Sequence, residues 1–349
     1  MLAQLARGQP LSAEQAIEAF ELIMTGRATA AQTGALLGLI ESRGPTVDEI
    51  TGAAIVMREK AMRVQVPEGL TAIDTCGTGG DQTGTFNIST AAALVAAGAG
   101  KAHGVAVAKH GNRSVTSRSG SSQVLEMLGV KLAVSEATLT RCLEQASICF
   151  CFAPSHHPAM KYAAPVRSEL GFRTIFNLLG PLTNPAGARR QVVGIFTSTL
   201  TFSIANVLQH LGSEHAMVVH GRVPTEDGGH VDGLDELSTS GPSQISHLKD
   251  RRIDTYQFEP ETIGLNFSHP NALKVDSPEA SATTIRQVLA GEDGPASEIV
   301  CLNAAAALVV ADVAADLGEG LALAREAIRS GAAHAALDGL VRITQEDRS

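Results

Sequence analysis

Aromatic side chains are scarce in this sequence. Its 349 residues include no Trp, two Tyr and ten Phe, so aromatic residues make up only 3% of the chain. Hydrophobic residues nevertheless reach 44%, which leaves Ala, Val, Leu and Ile to build the core. A chain of this length can bury an ample core and can form two domains or one large one.

Long hydrophobic runs and an excess of basic residues are also missing. No run approaches the roughly 20 residues of a transmembrane helix, and the N-terminus, MLAQLARGQP, lacks a signal-peptide core. A formal net charge of -9 argues against a general nucleic-acid binder, although it leaves room for a small polyanion at one site. The five cysteines have no CxxC spacing and are typical of reduced, mostly buried thiols. We therefore expect a cytoplasmic protein without a membrane or nucleic-acid partner.

The order of periodic segments predicts two kinds of structure. Capping boxes at Ser12–Gln15, Thr29–Gln32 and Thr46–Glu49 predict helices throughout residues 1–66. From about residue 70, short apolar runs alternate with helical segments, which indicates βαβ units and a parallel sheet. The strand candidates are residues 70–73, 105–108, 148–152, 192–196 and 216–220. Helices are expected near 137–146 and 200–211, and at 303–316 and 320–330.

A stretch at about 153–190 is poor in strand signal and rich in Pro, Gly and His. Segments of this length are unusual as bare loops and tend to be functional. Its middle, residues 162–179, has helical spacing and could return to pack on the N-terminal helices. The sequence thus predicts an α/β protein with a small all-helical domain, residues 1–66 plus about 156–187. A large α/β domain with a mainly parallel central sheet would comprise residues 70–155 plus 188–349.

One glycine-rich stretch, Asp74–Thr90, reads DTCGTGGDQTGTFNIST and separates a strand end from a helix-forming run. Four glycines fall within eight positions: Gly77, Gly79, Gly80 and Gly84. Such a loop lets backbone N–H groups point at an anion, with Ser89 or Thr90 as the expected N-cap. It lacks the lysine of a P-loop, and Gln82 breaks the dinucleotide fingerprint. We interpret it as a phosphate cradle, the alternative being a plain tight turn.

A second polar string, KHGNRSVTS, spans Lys109–Ser117 directly after a predicted strand. Residues just past a strand's carboxyl end lie over the crevice where α/β sheets bind ligands. Its cationic, amide and hydroxyl groups suit phosphate and ribose oxygens. The next helix is expected to start within Ser119–Ser122. A polar loop followed by a cap remains the alternative.

Two further features carry charge. The pair Asp235–Glu236 could hold Mg²⁺, which prefers oxygen ligands and usually binds together with substrate phosphates, or it could be an exposed acidic turn. Arg167, in PVRSELG, suits bidentate recognition of a planar carboxylate but could equally be a helix-surface arginine. His157 is more plausible as a pocket-lining side chain than as a metal ligand.

Five motifs occur in a fixed order: GTGGD (77–81), NIST (87–90), KHGNRSVTS (109–117), HPAMKYAAPVRSELGFRTIFNLLGPLTNP (157–185) and GLDELST (233–239). Together they resemble the anthranilate phosphoribosyltransferase family, over nearly the whole chain. The resemblance implies transfer of the 5-phosphoribosyl group from phosphoribosyl pyrophosphate to the amine of anthranilate, a step of tryptophan biosynthesis. It also implies Mg²⁺ as cofactor and a homodimer formed through the helical domains. Residues 222–231 depart from the family pattern as a longer loop.

The resemblance also implies roles for individual residues. Phosphoribosyl pyrophosphate would be bound by Gly77, Gly80, Asp81, Thr85, Asn87, Ile88, Ser89, Thr90, Lys109, His110, Gly111, Asn112, Arg113, Ser114, Val115, Thr116, Ser117 and Ser121. Anthranilate would face Gly77, His110, Asn112, His157 and Arg167. Magnesium would be held by Ser89, Asp235 and Glu236. The residues expected to matter most for catalysis are Lys109, Asn112 and Arg167.

Two other classes share parts of this pattern. Pyrimidine nucleoside phosphorylases have the fold and a glycine-rich loop, but their basic motif is of the KxSGR type and differs from KHGNR. A non-catalytic paralogue group keeps the fold and binds nucleic acid, which an acidic chain with an intact GTGGD motif disfavours. An aromatic amine is already neutral at pH 7, so the lack of an obvious general base does not argue against the transferase.

Overall fold

The computed structural model describes residues 1–81, 83–113, 120–224 and 230–348. Within these ranges the centre of the molecule is one eight-stranded sheet. Its strands are β1 (Thr71–Gly77), β2 (Val105–Gly111), β3 (Ile148–Phe152), β4 (Arg190–Gly194), β5 (His215–Pro224), β6 (His230–Leu234), β7 (Ser243–Lys249) and β8 (Arg252–Phe258). Along the sheet they follow the order β3-β2-β1-β4-β5-β7-β8, and β6 pairs with β5.

The first five strands form the parallel part of the sheet. β3, β2, β1, β4 and β5 pair in parallel, while β6, β7 and β8 add antiparallel pairs at one side. Because parallel strands end at one edge, the loops after β1, β2 and β4 meet there. The sequence did not predict β7 and β8. The segment suspected of being a longer loop carries the end of β5 and the start of β6, which pair as a hairpin.

Helices cover both faces of the sheet and form the N-terminal bundle. They are α1 (Leu2–Leu5), α2 (Ala13–Met24), α3 (Ala30–Arg43), α4 (Val47–Glu59), α5 (Ile88–Gly100), α6 (Ser121–Met127), α7 (Glu136–Ala146), α8 (Ala153–His156), α9 (Ala164–Leu170), α10 (Phe176–Leu179), α11 (Thr201–His210), α12 (Pro278–Leu289), α13 (Pro295–Val310), α14 (Leu317–Arg329) and α15 (Ala332–Gln345). All three predicted capping boxes are present, with both reciprocal hydrogen bonds. The expected combination of a helical bundle and a large α/β domain is confirmed.

The C-terminal helices differ from the prediction in their bounds. α13 begins at Pro295 and ends at Val310, where the sequence suggested 303–316, and α12 and α15 were not predicted. α13 is buried on all sides from Ile299 to Val310, so it lacks the polar stripe that marks a helix end. Proline at the first helical position sets its true start.

Two hydrophobic cores lie on opposite faces of the sheet. Val192 of β4 belongs to the core with α5 and α13, whereas Val193 belongs to the core with the N-terminal helices and α11. This split follows from the period of two along a strand. The segment after β3 joins the second core, where the rings of Phe20 and Phe176 meet edge to face with centroids 5.6 Å apart.

Two further predictions concerned the cysteines and membrane-spanning helices. All five cysteines are free and buried, as predicted for reduced thiols. Over the described ranges, no helix is both long enough and apolar enough to cross a membrane.

Candidate active site at the carboxyl edge of the sheet

The glycine-rich loop follows β1 and leads into α5. Gly79 and Gly80 adopt positive φ angles of 67° and 79°, which glycine reaches without steric cost. The N-cap of α5 is Asn87, whose side chain accepts a hydrogen bond from the Thr90 N–H at 3.1 Å. The prediction of Ser89 or Thr90 as N-cap was therefore wrong. Because the helix starts earlier, Ser89 lies in its first turn, where its hydroxyl acts to lower the pKa of Glu236.

The acidic pair meets the glycine-rich loop. Asp235 Oδ2 accepts a hydrogen bond from the Gly79 N–H at 2.7 Å. A Cβ at Gly77 would lie 2.3 Å from Asp235 Oδ2, and one at Gly194 would lie 1.6 Å from the Asp235 carbonyl oxygen. Both carboxylates are partly buried, so the pair is not an exposed acidic turn. Asp235 packs against the last residues of β1 and β4, Gly77 and Gly194, where a Cβ would clash with it.

Both carboxyl groups resist ionisation in this position. Burial, together with the nearby charge of Asp81, raises the pKa of Asp235 to about 7. Burial also holds the pKa of Glu236 well above its usual range, with Asp235 adding to the effect and Lys109 opposing it. Crowded carboxylates in a low-dielectric site favour a cation over two separate protons.

The donor set fits a divalent ion that is completed by substrate oxygens. Among the described residues, no group of three or more His, Cys, Asp or Glu side chains could hold a metal ion. Mg²⁺ is usually bound by one or two carboxylates together with substrate phosphates. Asp235, Glu236 and the Ser89 hydroxyl supply such a partial set.

Lys109 lies beneath the loop. Its side chain is 2% exposed, and Nζ donates to the Thr75 carbonyl oxygen at 2.6 Å. Nearby, burial raises the pKa of Asp74 to about 6, and the charge of Lys109 opposes that rise. Asp74 accepts hydrogen bonds from the His110 N–H at 3.1 Å and from Asn184 Nδ2 at 2.7 Å. The sequence did not predict that Asp74 and Asn184 belong to this buried network.

His110 and His157 form a buried pair. Their Nε2 atoms are 3.2 Å apart, and His110 Nδ1 lies 2.9 Å from the Gly180 carbonyl oxygen. Burial, together with the charge of a neighbouring histidine, lowers the pKa of His110 to about 3 and that of His157 to about 4. Both rings are therefore neutral at pH 7.

Arg167 lies on the helical side of the site. Its guanidinium carbon is 5.3 Å from the centroid of the Phe176 ring, and burial lowers its pKa. In the described part of the chain Arg167 has no carboxylate partner, so its charge is available to an anionic ligand. Asn112 is exposed at the end of β2 and accepts a hydrogen bond from the Arg113 N–H at 2.7 Å.

Several of the expected donor-binding residues join the loop to neighbouring helices. Asn87 Nδ2 lies 3.4 Å from Ser121 Oγ, and the Asn87 N–H donates to Ser281 Oγ at 2.9 Å. Ile88 and Thr90 are 2% and 1% exposed, so their side chains belong to the core. Thr85 pairs with Lys274 in an isolated bridge, and Gly111 ends β2. Gln82 and the expected residues Ser114, Val115, Thr116 and Ser117 lie outside the described residues.

Arg173 also lies at the site, although the sequence did not predict a role for it. Its Nη2 donates to the Gly80 carbonyl oxygen, and its guanidinium lies 4.3 Å from the centroid of the Phe196 ring. It therefore connects the segment after α9 with the glycine-rich loop. A lone arginine in GFRT gave no signal of this contact.

Comparisons with known proteins agree with this geometry. The Glycosyl transferase family a/b domain matches residues 69–334, and the Glycosyl transferase family helical bundle domain matches residues 1–61. The anthranilate phosphoribosyltransferase of Rubrobacter xylanophilus is 48% identical over 345 residues, covering 99% of this chain and 96% of that protein. The enzyme of that name from Symbiobacterium thermophilum is 47% identical over 349 residues, covering 100% and 98%. The chain belongs to the anthranilate phosphoribosyltransferase family.

Solved structures of family members have the same fold. The anthranilate phosphoribosyltransferase of Thermus thermophilus superposes with a TM-score of 0.88 at 39% identity, covering 99% of both chains. The Saccharomyces cerevisiae anthranilate phosphoribosyltransferase in complex with PRPP and Mg gives a TM-score of 0.85 at 25% identity, covering 99% of this chain and 96% of that one. The family resemblance found in the sequence is confirmed, and the phosphorylase and the nucleic-acid-binding paralogue are set aside.

Proposed function

We propose which residues of this chain carry out the family reaction. The chain transfers the 5-phosphoribosyl group from phosphoribosyl pyrophosphate to the amine of anthranilate, giving N-(5-phosphoribosyl)anthranilate and pyrophosphate in tryptophan biosynthesis. The observation that carries the assignment is the contact of Asp235 with Gly79. It joins the acidic pair to the phosphate cradle at the edge where β1, β2 and β4 end.

In this assignment the donor's pyrophosphate binds the loop at Gly77–Asp81 and the first turn of α5. Backbone N–H groups of such a loop would donate to the anion, and a helix N-terminus favours negative charge. Mg²⁺, held by Ser89, Asp235 and Glu236, would neutralise charge on the pyrophosphate. The raised pKa values of both carboxyl groups support this role, because a divalent cation relieves their mutual repulsion.

Lys109, Asn112 and Arg113 are assigned to the ribose and pyrophosphate, together with the string that continues to Ser117. Arg167 and Asn112 are assigned to anthranilate, with the His110–His157 pair lining its path. Arg167 suits the anthranilate carboxylate because its guanidinium is partly buried and has no described acidic partner. The neutral histidines keep a second positive charge away from that path.

The chemistry follows from the charges. The bond between ribose C1 and pyrophosphate breaks, a bond from the amine nitrogen to C1 forms, and the amine loses a proton. Positive charge develops on the sugar and negative charge on the leaving group. The cradle N–H groups therefore stabilise the transition state, while Arg167 and Asn112 position the amine.

We also propose the domain division and the assembly. Residues 1–66 with about 156–187 would form the helical domain, and residues 70–155 with 188–349 the α/β domain. Packing of Phe176 against Phe20 supports this division. The homodimer through the helical domains rests on the family resemblance, and the cytoplasmic location is supported by five free, buried thiols.

Loss of anthranilate fluorescence tests the assignment. We expect consumption only when phosphoribosyl pyrophosphate and Mg²⁺ are both present, and a chelator should stop it. Consumption that survives chelation would contradict the magnesium assignment. Phosphate-dependent release of base from thymidine or uridine would instead support the phosphorylase.

A further inference from the structure

Asn303 is a polar residue inside an apolar helix. It lies in the middle of α13, is 3% exposed, and has only Ala, Val, Leu, Ile and Cys side chains among the other residues from Ile299 to Val310. Burying a side-chain amide without hydrogen bonds costs about 1–3 kcal/mol in proteins. Its polar atoms therefore need partners inside the core.

The main partner of Asn303 is the backbone of Leu237. Asn303 Oδ1 accepts from the Leu237 N–H at 2.9 Å, and Nδ2 donates to the Leu237 carbonyl oxygen at 3.0 Å. Nδ2 also donates to the Ile299 carbonyl oxygen one turn earlier, at 2.9 Å. Both amide hydrogens are thus used, and the side chain holds both polar groups of the residue that follows Glu236.

Two glycines lie close to the same backbone. The Asp235 carbonyl oxygen lies against Gly194, and the Glu236 carbonyl oxygen would be 2.6 Å from a Cβ at Gly221. Residues 235–237 therefore pass close to Gly194 at the end of β4, to Gly221 within β5 and to Asn303. A shift of the backbone at Leu237 would therefore displace Glu236 and Asp235 with it.

Asn303 and Glu236 line the same small cavity. It is lined by Thr75, Ser89, Gly194, Glu236 and Asn303, among others. Asn303 is therefore close to the acidic pair as well as to Leu237.

We propose that Asn303 is a positioning residue for the metal-binding carboxylates. It fixes the backbone of Leu237 and, through it, the placement of Asp235 and Glu236. This inference rests on the magnesium role in the proposed function. Asn303 acts through the acidic pair and contacts neither substrate.

Binding of Mn²⁺ in the presence of phosphoribosyl pyrophosphate tests the proposal, since the free ion can be counted by electron paramagnetic resonance. Asn303→Leu keeps the branching and the number of heavy atoms of the side chain but removes both bonds to Leu237. We expect Mn²⁺ binding to weaken about tenfold, the effect of one to two lost hydrogen bonds. The Mg²⁺ concentration for half-maximal activity should rise in parallel, while the KM for anthranilate changes less than about twofold. Asn303→Ala, which leaves room for water, serves as a second variant if the first does not fold.

A matched control lies on the same helix. Leu308 is 0% exposed, and Leu308→Ala should lower stability by about 2–5 kcal/mol while leaving Mn²⁺ binding at the wild-type value. Wild-type Mn²⁺ binding by a folded Asn303 variant would overturn the proposal, and so would equal weakening by Leu308→Ala. If Asp235 and Glu236 do not bind the metal, the double variant Asp235→Asn with Glu236→Gln will bind Mn²⁺ as the wild type does. That result is distinct from a failure of the Asn303 proposal.

Discussion

Replacing Gly194 by alanine tests whether activity depends on the backbone position of the acidic pair, Asp235 and Glu236. The new Cβ would stand 1.6 Å from the Asp235 carbonyl oxygen, whereas real Cβ contacts essentially never fall under 3.0 Å. The backbone at Asp235 must therefore move by about 1.4 Å or more. Because this neighbour is backbone, a change of rotamer cannot relieve the clash.

The size of the effect follows from that displacement. A misplacement of about 1 Å at catalytic groups can cost about 100-fold in rate. We therefore expect Gly194→Ala to lower kcat/KM at least about 100-fold, measured by loss of anthranilate fluorescence at saturating Mg²⁺. At Gly77 the new Cβ would meet Asp235 Oδ2, the end of a side chain that can turn. Gly77→Ala should therefore cost less than Gly194→Ala.

Gly38 offers a matched control on α3. A Cβ there would meet nothing within 4 Å, so Gly38→Ala should keep full activity and gain about 0.5–1 kcal/mol of helix stability. Circular dichroism and thermal melts show whether each variant is folded. A folded Gly194→Ala protein that keeps more than about a tenth of the wild-type kcat/KM would refute the reasoning.

Three further predictions concern charge. Asp235→Asn with Glu236→Gln should abolish magnesium-dependent turnover while leaving the circular dichroism spectrum intact; unchanged kinetics would remove the pair from the metal site. Arg167→Ala should raise the KM for anthranilate far more than that for phosphoribosyl pyrophosphate, and equal increases would exclude the carboxylate role. Burial, reinforced by His247, lowers the pKa of His215 to about 4. In the unfolded chain the pKa of a histidine is about 6.5. Between about pH 4 and about pH 6.5 the unfolded chain therefore binds a proton that the folded protein does not. Acidification over this range lowers the free energy of unfolding by up to about 1.4 kcal/mol per pH unit. His215→Asn should reduce this slope in urea unfolding between pH 5 and 7, and an unchanged slope would contradict the assignment.

Local chemistry made several elements predictable. A capping box such as Ser12–Gln15 satisfies the N–H groups at a helix start with residues only three apart, so a short stretch of sequence is enough to predict it. The run at 148–152 likewise matches β3, because a fully buried parallel strand is a continuous apolar segment. The glycine-rich loop after β1 was recognisable for a similar reason, since a strand, glycines and a helix start follow one another directly.

Other features depended on contacts between distant segments. The choice of Asn87 as N-cap depends on how the chain enters α5, where Ser281 and Ser121 hold the same residue. The bounds of α13 were missed because burial on all sides removes the helical pattern. Arg173 and Asn303 gave no signal in the sequence, since each acts on a backbone group far away along the chain.

The sequence by itself determined the family, the kinds of element and which short strings carry phosphate-binding and acidic groups. Those properties depend on residue types within a few positions of one another. Only the tertiary structure decided that Asp235 reaches Gly79, 156 positions away, and that a buried amide from α13 holds the backbone beside it. Contacts of this kind arise when strands align their ends at one edge of a sheet, and no local pattern encodes the distance between two such ends.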